Sequence, residues 1–349
     1  QPAFHRERIA AYADVIVTYT NRMLATWQPG EIRDVYQEMM YLTLAIVTKT
    51  LFNADVASEV EQIGASLKAV TQHYNQNLNS NAHLLVLSFL LPHWLPTPDH
   101  LRFRKAVQQL NEIVYGIIHQ HRTSGNDTGD LLSMLLNAQD SDGSQMTEQQ
   151  LRDEVVNLMF AGHETTTNAL SWTWMLLSQH PVVEAKVLEE LQAVLGGRTP
   201  TMADVPQLRY TERVVLESMR LYPPVWTLTR EVMQDCEIGG YPLSAGTNVF
   251  MSQWVMHRDP RYFDNPEEFA PDRWKDDLAK RLPTFAYFPF SGGPRVCIGK
   301  SFAMMETVLV LATVAQKFQL KLVPEHPIVL EPSITLSPKN GLKMLLTKR

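Results

Sequence analysis

Along the first two-thirds of the chain, apolar residues recur every three or four positions. EMMYLTLAIVTKTLF (38–52) and HLRFRKAVQQLNEIVYGIIHQHR (100–122) each lay an apolar stripe along one side of a helix. GNDTG (125–129) reads as a loop. In the last third the pattern changes: proline and glycine thicken from Pro223 onward, and short runs such as CEIGGYPL (236–243) and TNVFMSQWV (247–255) read as strands. With no linker between these regions, the pattern predicts one mainly α domain over 1–349 with a smaller β part.

One helix stands out. Thr147 followed by Gln150 is a capping box, and the helical pattern then runs without proline to Pro181. At about 1.5 Å per residue, 147–179 spans about 50 Å, enough to cross the core. In its middle sits AGHETT (161–166), where Gly162 costs ~1 kcal/mol relative to alanine and Glu164 puts a charge among apolar neighbours. Either this is a locally exposed patch, or Ala161 and Gly162 loosen a turn for a ligand, with Thr165 and Glu164 beside it as proton-handling groups.

Two further clusters bear on that choice. In RYTERVVLESMRLYPP, Glu217 and Arg220 share a helix face just before a double-proline stop. FAPDRW supplies Arg273 as a second cation for Glu217; buried together, the three are costly unless fully hydrogen-bonded. The stretch FSGGPRVCIGK (290–300) places Cys297 just before a helical run, where backbone N–H groups favour a thiolate. Gly292, Gly293 and Gly299 let a flat ligand approach the backbone, and Arg295 can reach an anionic edge of it. A haem offers both an iron and propionates.

Composition narrows the classes. With 45% hydrophobic and 19% charged residues the chain is an ordinary globular protein, and a net charge of −6 without a basic block argues against nucleic-acid partners. Two cysteines, Cys236 and Cys297, are too few for a disulfide framework and suggest a reducing, cytoplasmic setting. The most apolar run, HLLVLSFLLPHWLP (83–96), is broken by Pro92 and His93 and is too short for a membrane span. No dinucleotide fingerprint and no flavin or iron–sulfur motif is present.

Taken together, these motifs strongly resemble the cytochrome P450 superfamily of haem-thiolate monooxygenases. FSGGPRVCIG fits its F-x-x-G-x-R-x-C-x-G signature, AGHETT its oxygen-activating A-G-x-[D/E]-T-T, ESMR its E-x-x-R and FAPDRW its P-[E/D]-R-[F/W] turn, in the family's order. The resemblance implies haem b with Cys297 as axial ligand, Arg295 on a propionate, Phe290 beside the thiolate and Arg230 as a further propionate-binding arginine. It implies that Glu164 and Thr165 deliver protons while O2 is activated for insertion into a C–H bond. Electrons then come from a separate ferredoxin or flavodoxin type donor with an NAD(P)H reductase. His257 is read as structural, His163 is given no role, and Cys236 is read as a buried structural thiol.

Family members usually carry a further N-terminal portion before the point matching QPAFHRERI, so the chain reads as a P450 fold with that portion missing. Val225, Trp226, Thr227, Leu228, Phe160 and 334–336 match substrate-facing regions and are nearly all apolar. A lipophilic substrate is expected, fatty acids first and terpenes second. The alternatives are a non-catalytic haem-binding protein and a peroxide-using haem-thiolate enzyme. Neither has the same need for Glu164 and Thr165.

Overall fold

The computed structural model describes residues 6–56, 59–79, 97–124, 129–139 and 143–349. The apolar run 83–96, the first five residues and most of the GNDTG loop lie outside the described residues. Helix accounts for 58% of the chain and strand for 12%, which makes the fold mainly α with a smaller β part, as the patterning predicts.

In chain order the helices are α1 (Arg6–Leu24), α2 (Val35–Phe52), α3 (Val60–Asn79), α4 (Pro98–Ser124), α5 (Leu131–Asn137), α6 (Glu148–Gln179), α7 (Pro181–Leu195), α8 (Arg209–Leu221), α9 (Gln253–Met256), α10 (Leu278–Arg281) and α11 (Lys300–Ala315). The strands are β1 (Ile32–Asp34), β2 (Thr227–Glu231), β3 (Cys236–Ile238), β4 (Tyr241–Leu243), β5 (Asn248–Ser252), β6 (Phe318–Leu322), β7 (Leu330–Pro332), β8 (Leu336–Pro338) and β9 (Lys343–Lys348). β9 pairs antiparallel with both β1 and β6, and three antiparallel pairs, β2–β5, β3–β4 and β7–β8, complete the β part. The β3–β4 hairpin turns on Gly239 and Gly240, whose φ of 59° and 84° suit the primed turn that matches strand twist.

The central helix α6 starts where the capping box predicts, with Thr147 Oγ1 accepting from the Gln150 amide and the Gln150 side chain answering to the Thr147 amide. It joins two apolar cores. Near its start Leu151, Val155 and Met159 pack with Leu44, Phe52, Ile63, Val114 and Leu132. Beyond the middle, Leu170, Trp172 and Met175 pack with α1, α8 and α11, including Ile16, Val214 and Leu309. Between the cores lies a buried polar segment: His163, Glu164, Thr166, Thr167 and Asn168. Thr43 of α2 is tied to it, its hydroxyl 2.8 Å from Thr167 Oγ1. A cluster of buried polar side chains between two apolar cores is a candidate place for chemistry rather than packing.

Candidate active site

The cysteine loop is built by backbone pinning. The Phe288 carbonyl accepts from Gln253 Nε2 at 2.7 Å, and its amide donates to His257 Nε2 at 3.0 Å. Burial, and then the charge of Arg220, hold His257 down at about 3, so the ring is neutral and accepts; the structural role expected of it is the one it has. A Cβ on Gly292 would lie 2.3 Å from Cε1 of the exposed Phe285 ring, which would have to move aside, and Gly293 adopts φ 62°, a conformation that favours glycine. The Cys297 amide then donates to the Phe290 carbonyl at 2.9 Å, and α11 begins at Lys300. Burial pushes the Cys297 thiol up, against the opposing pull of the Gly299 and Lys300 amides and the Lys300 charge. The helix start therefore helps a thiolate, as its position predicts, without overcoming desolvation. Coordination to iron would supply the rest.

Cys297 lines a cavity of about 290 Å³ together with Phe290, Ser291, Arg295, Ile298 and Gly299 of its own loop and Phe302, Ala303 and Thr307 of α11. From α6 come Ala161, Gly162, Thr165, Thr166 and Ala169. Val47 and Leu51 of α2, Leu158, Pro224, Val225 and Leu228 complete an apolar wall. The residues fit a haem. The thiol lines the cavity, and Arg295 has no hydrogen-bond or ion-pair partner among the described residues. A cation on this wall awaiting an anion matches a propionate.

Not every expected residue joins it. Arg230 is exposed on β2, its guanidinium donating to the neighbouring Thr229 carbonyl at 2.9 Å, outside the cavity lining. Gly292 and Gly293 shape the loop without lining the cavity. Of the substrate-facing expectations, Val225 and Leu228 line it, whereas the Trp226 indole is turned to the Ser333 carbonyl at 2.8 Å. Phe160 lines a different cavity, none of 334–336 lines this one, and Cys236 is exposed rather than buried because its strand lies in an outlying hairpin.

Thr165 and Glu164, adjacent in sequence, look into different cavities. The Thr165 hydroxyl, which donates to the Ala161 carbonyl at 2.8 Å, lines the cysteine cavity. Glu164 instead lines a polar cavity of about 330 Å³ with Asp34, Tyr36, Lys68, His163, Glu331 and Lys339. One of its oxygens accepts from Thr335 Oγ1 at 2.8 Å; the other, Oε2, is buried without a partner. Burial raises the Glu164 carboxyl above the usual carboxylate range, with Thr335 opposing. His163 is held down at about 4 by burial, and its Nδ1 must donate to the Met159 carbonyl, 3.1 Å away.

Behind the loop, Glu217 and Arg220 are both fully buried. Glu217 accepts from Arg220 twice at 2.9 Å, from Arg273 Nε at 2.8 Å, from Trp274 Nε1 at 2.8 Å and from the Ala270 amide at 3.0 Å. Arg220 also donates to the carbonyls of His257, Pro266 and Glu268. The network predicted from spacing is present and saturated; the Trp274 indole, which follows Arg273 directly in FAPDRW, is the donor that the charge pattern alone passes over. Val47, Leu51 and Gln253 carry no sequence signal, since each reaches the site across the fold, and Thr335, expected within 334–336 to face substrate, instead meets Glu164.

A thiol and a free arginine lining a slot beneath a helix with small residues and an acid–alcohol pair define the haem-thiolate class. The sequence model of the Cytochrome P450 family matches residues 1–345, and the chain belongs to that family. Cyclooctatin synthase of Streptomyces melanosporofaciens is 38% identical over 341 residues, covering 97% of this chain and 72% of that protein. Pentalenene oxygenase of Streptomyces avermitilis is 32% identical over 352 residues, covering 100% of this chain and 76% of that protein. Among solved structures, a cyanobacterial cytochrome P450 with retinoic acid bound matches at TM-score 0.87 and 29% identity, over 99% of this chain and 77% of the other. The protein is a haem monooxygenase, using O2, a substrate and electrons from a redox partner. Among the described residues no helix is long and apolar enough to cross a membrane.

Proposed function

We propose that this monooxygenase binds haem b through Cys297 and Arg295 and inserts oxygen into a C–H bond of a neutral, terpene-like hydrocarbon. Haem bound here would supply the iron that activates dioxygen, and the Cys297 thiolate would lend it electron density. The chain's own part is positional. Cys297 binds the metal, Arg295 answers a propionate, Ala161 and Gly162 leave room beside α6, and Thr165 Oγ1 accepts and passes a proton inside the cavity. Glu164, raised by burial, holds a proton for that relay. A small iron–sulfur ferredoxin or a flavodoxin with its NAD(P)H reductase is the electron source this reading requires, since the chain carries no motif for either group.

The observation that carries the reading is that Cys297 and Thr165 line one cavity. The substrate choice rests on its wall. Among the described lining residues Arg295 is the one cation, and the haem claims it. Gln253 is committed to Phe288, and the Thr165, Thr166 and Thr307 hydroxyls donate to carbonyls of their own helices, so, Ser291 of the cysteine loop apart, the wall offers a fatty-acid carboxylate few donors. The relatives named cyclooctatin synthase and pentalenene oxygenase support the same reading, which puts terpenes before fatty acids.

The test has two arms. The reduced protein with carbon monoxide should give the red-shifted Soret band of thiolate ligation, and Cys297→His should abolish it; persistence of the band would reject the ligand. Terpene hydrocarbons should shift the iron spin state at lower concentration than fatty acids of similar size. The reverse order would restore the fatty-acid reading.

A further inference from the structure

Thr335 belongs to none of the motifs, yet its hydroxyl is the partner of the carboxyl in the middle of α6. It sits in the 333–335 turn between β7 and β8, and it is 2% exposed. That turn is held from several sides. The Trp172 indole donates to the Leu336 carbonyl at 2.9 Å, the Trp226 indole to the Ser333 carbonyl at 2.8 Å, and the Leu336 amide to the Pro224 carbonyl at 2.8 Å. The Thr335 hydroxyl is doubly engaged: it donates to Glu164 Oε1 at 2.8 Å and accepts from Asn168 Nδ2 at 3.1 Å. With Asn168 donating to one of its lone pairs, the Thr335 hydroxyl directs its hydrogen at Glu164 Oε1.

This has a consequence for the carboxyl. While Thr335 donates to Oε1, the acidic proton of neutral Glu164 is carried on Oε2, which has no partner among the described residues. Glu164 lines the polar cavity, whose other titratable and charged groups are Asp34, Tyr36, Lys68, His163, Glu331 and Lys339. His163 is neutral, with Nδ1 spent on Met159, and does not compete for that proton. The geometry points to Thr335 as the positioning residue of Glu164: it fixes the carboxyl so that the proton is carried on Oε2 and exchanges with water in the polar cavity. Glu164 gives up one proton and regains one from solvent, with no electron moved. The inference rests on the reading of Glu164 as the proton source for the cysteine cavity.

The test compares Thr335→Val, which keeps the shape and removes the hydroxyl, with Thr335→Ser, which restores it. In the infrared spectrum of the purified protein, the C=O stretch that disappears in Glu164→Gln belongs to Glu164. In Thr335→Val that band should move to higher wavenumber, and the pH at which it vanishes should rise, because the carboxylate loses a donor. Thr335→Ser should return both to the wild-type position. In the haem-loaded protein, product formed per NADPH consumed should fall several-fold in Thr335→Val with KM unchanged, and recover in Thr335→Ser. A band and titration that do not move in Thr335→Val overturn the assignment, as does a folded Thr335→Ser that fails to restore them. Should Thr335→Val not fold, Thr335→Cys keeps the volume with a weaker donor and is read in the same band. Because that band needs no turnover, absence of product from every substrate would overturn the proposed function and not the positioning.

Discussion

Glu217 and Glu164 are both buried carboxyls on helices, and they are treated in opposite ways. Glu217 receives donors on both oxygens, from Arg220, Arg273, Trp274 and the Ala270 amide, while Glu164 receives Thr335 on one oxygen and nothing on the other. The first arrangement keeps a charge in place and braces the segment leading to the cysteine loop. The second favours a protonated acid that can let its proton go. A third carboxyl, Glu306 on α11, has no partner on either oxygen, and burial raises it well above the usual range. Donor count thus sorts these acids into brace, proton carrier and buried neutral group.

The largest effect should come from breaking the brace. Glu217→Ala leaves Arg220 buried without its anion, and a loss of ~3–5 kcal/mol is expected, with haem lost on purification. Thermal unfolding and haem content check it; unchanged values would return the cluster to ordinary surface pairing.

Next are the groups of the relay, which should alter chemistry and spare the fold. Thr165→Ala should still bind haem and substrate, while product per NADPH falls by on the order of tenfold or more and hydrogen peroxide rises. Its stability should change by about 1 kcal/mol or less. An unchanged ratio of product to NADPH would remove Thr165 from the relay and favour a peroxide-using enzyme. Glu164→Gln should uncouple in the same sense, and its failure to do so would leave the comparison with Glu217 without a functional side.

The smallest effect belongs to Glu306. A carboxyl raised on folding gives stability that is complete below about pH 4.3, the ordinary range for glutamate, and is lost as pH climbs toward its raised folded value. Glu306→Gln removes that loss, so the variant should match wild type in acid and become slightly more stable as pH rises. Melting curves across pH read this directly. A variant less stable at every pH would mean that Glu306 has a partner only the haem-loaded protein provides.

Much of this was written in the sequence because its signals are local. The capping box at Thr147 needs only four residues, the E-x-x-R pair shares a helix face by spacing alone, and Gly293 in the cysteine loop takes a φ that favours glycine. Those features fixed the mainly α fold, the cysteine loop and the acid–alcohol pair. Tertiary structure decided what lies on each side of α6. Neighbours along a helix are turned by about 100°, so Thr165 and Glu164 part company, one toward Cys297 and the other toward Thr335 of a turn far along the chain. The same distance in sequence hid Val47 and Leu51, while it let Phe160, Trp226 and Thr335 pass for substrate contacts. A side chain's type can be read from the chain; its partner depends on which segments the core brings against it.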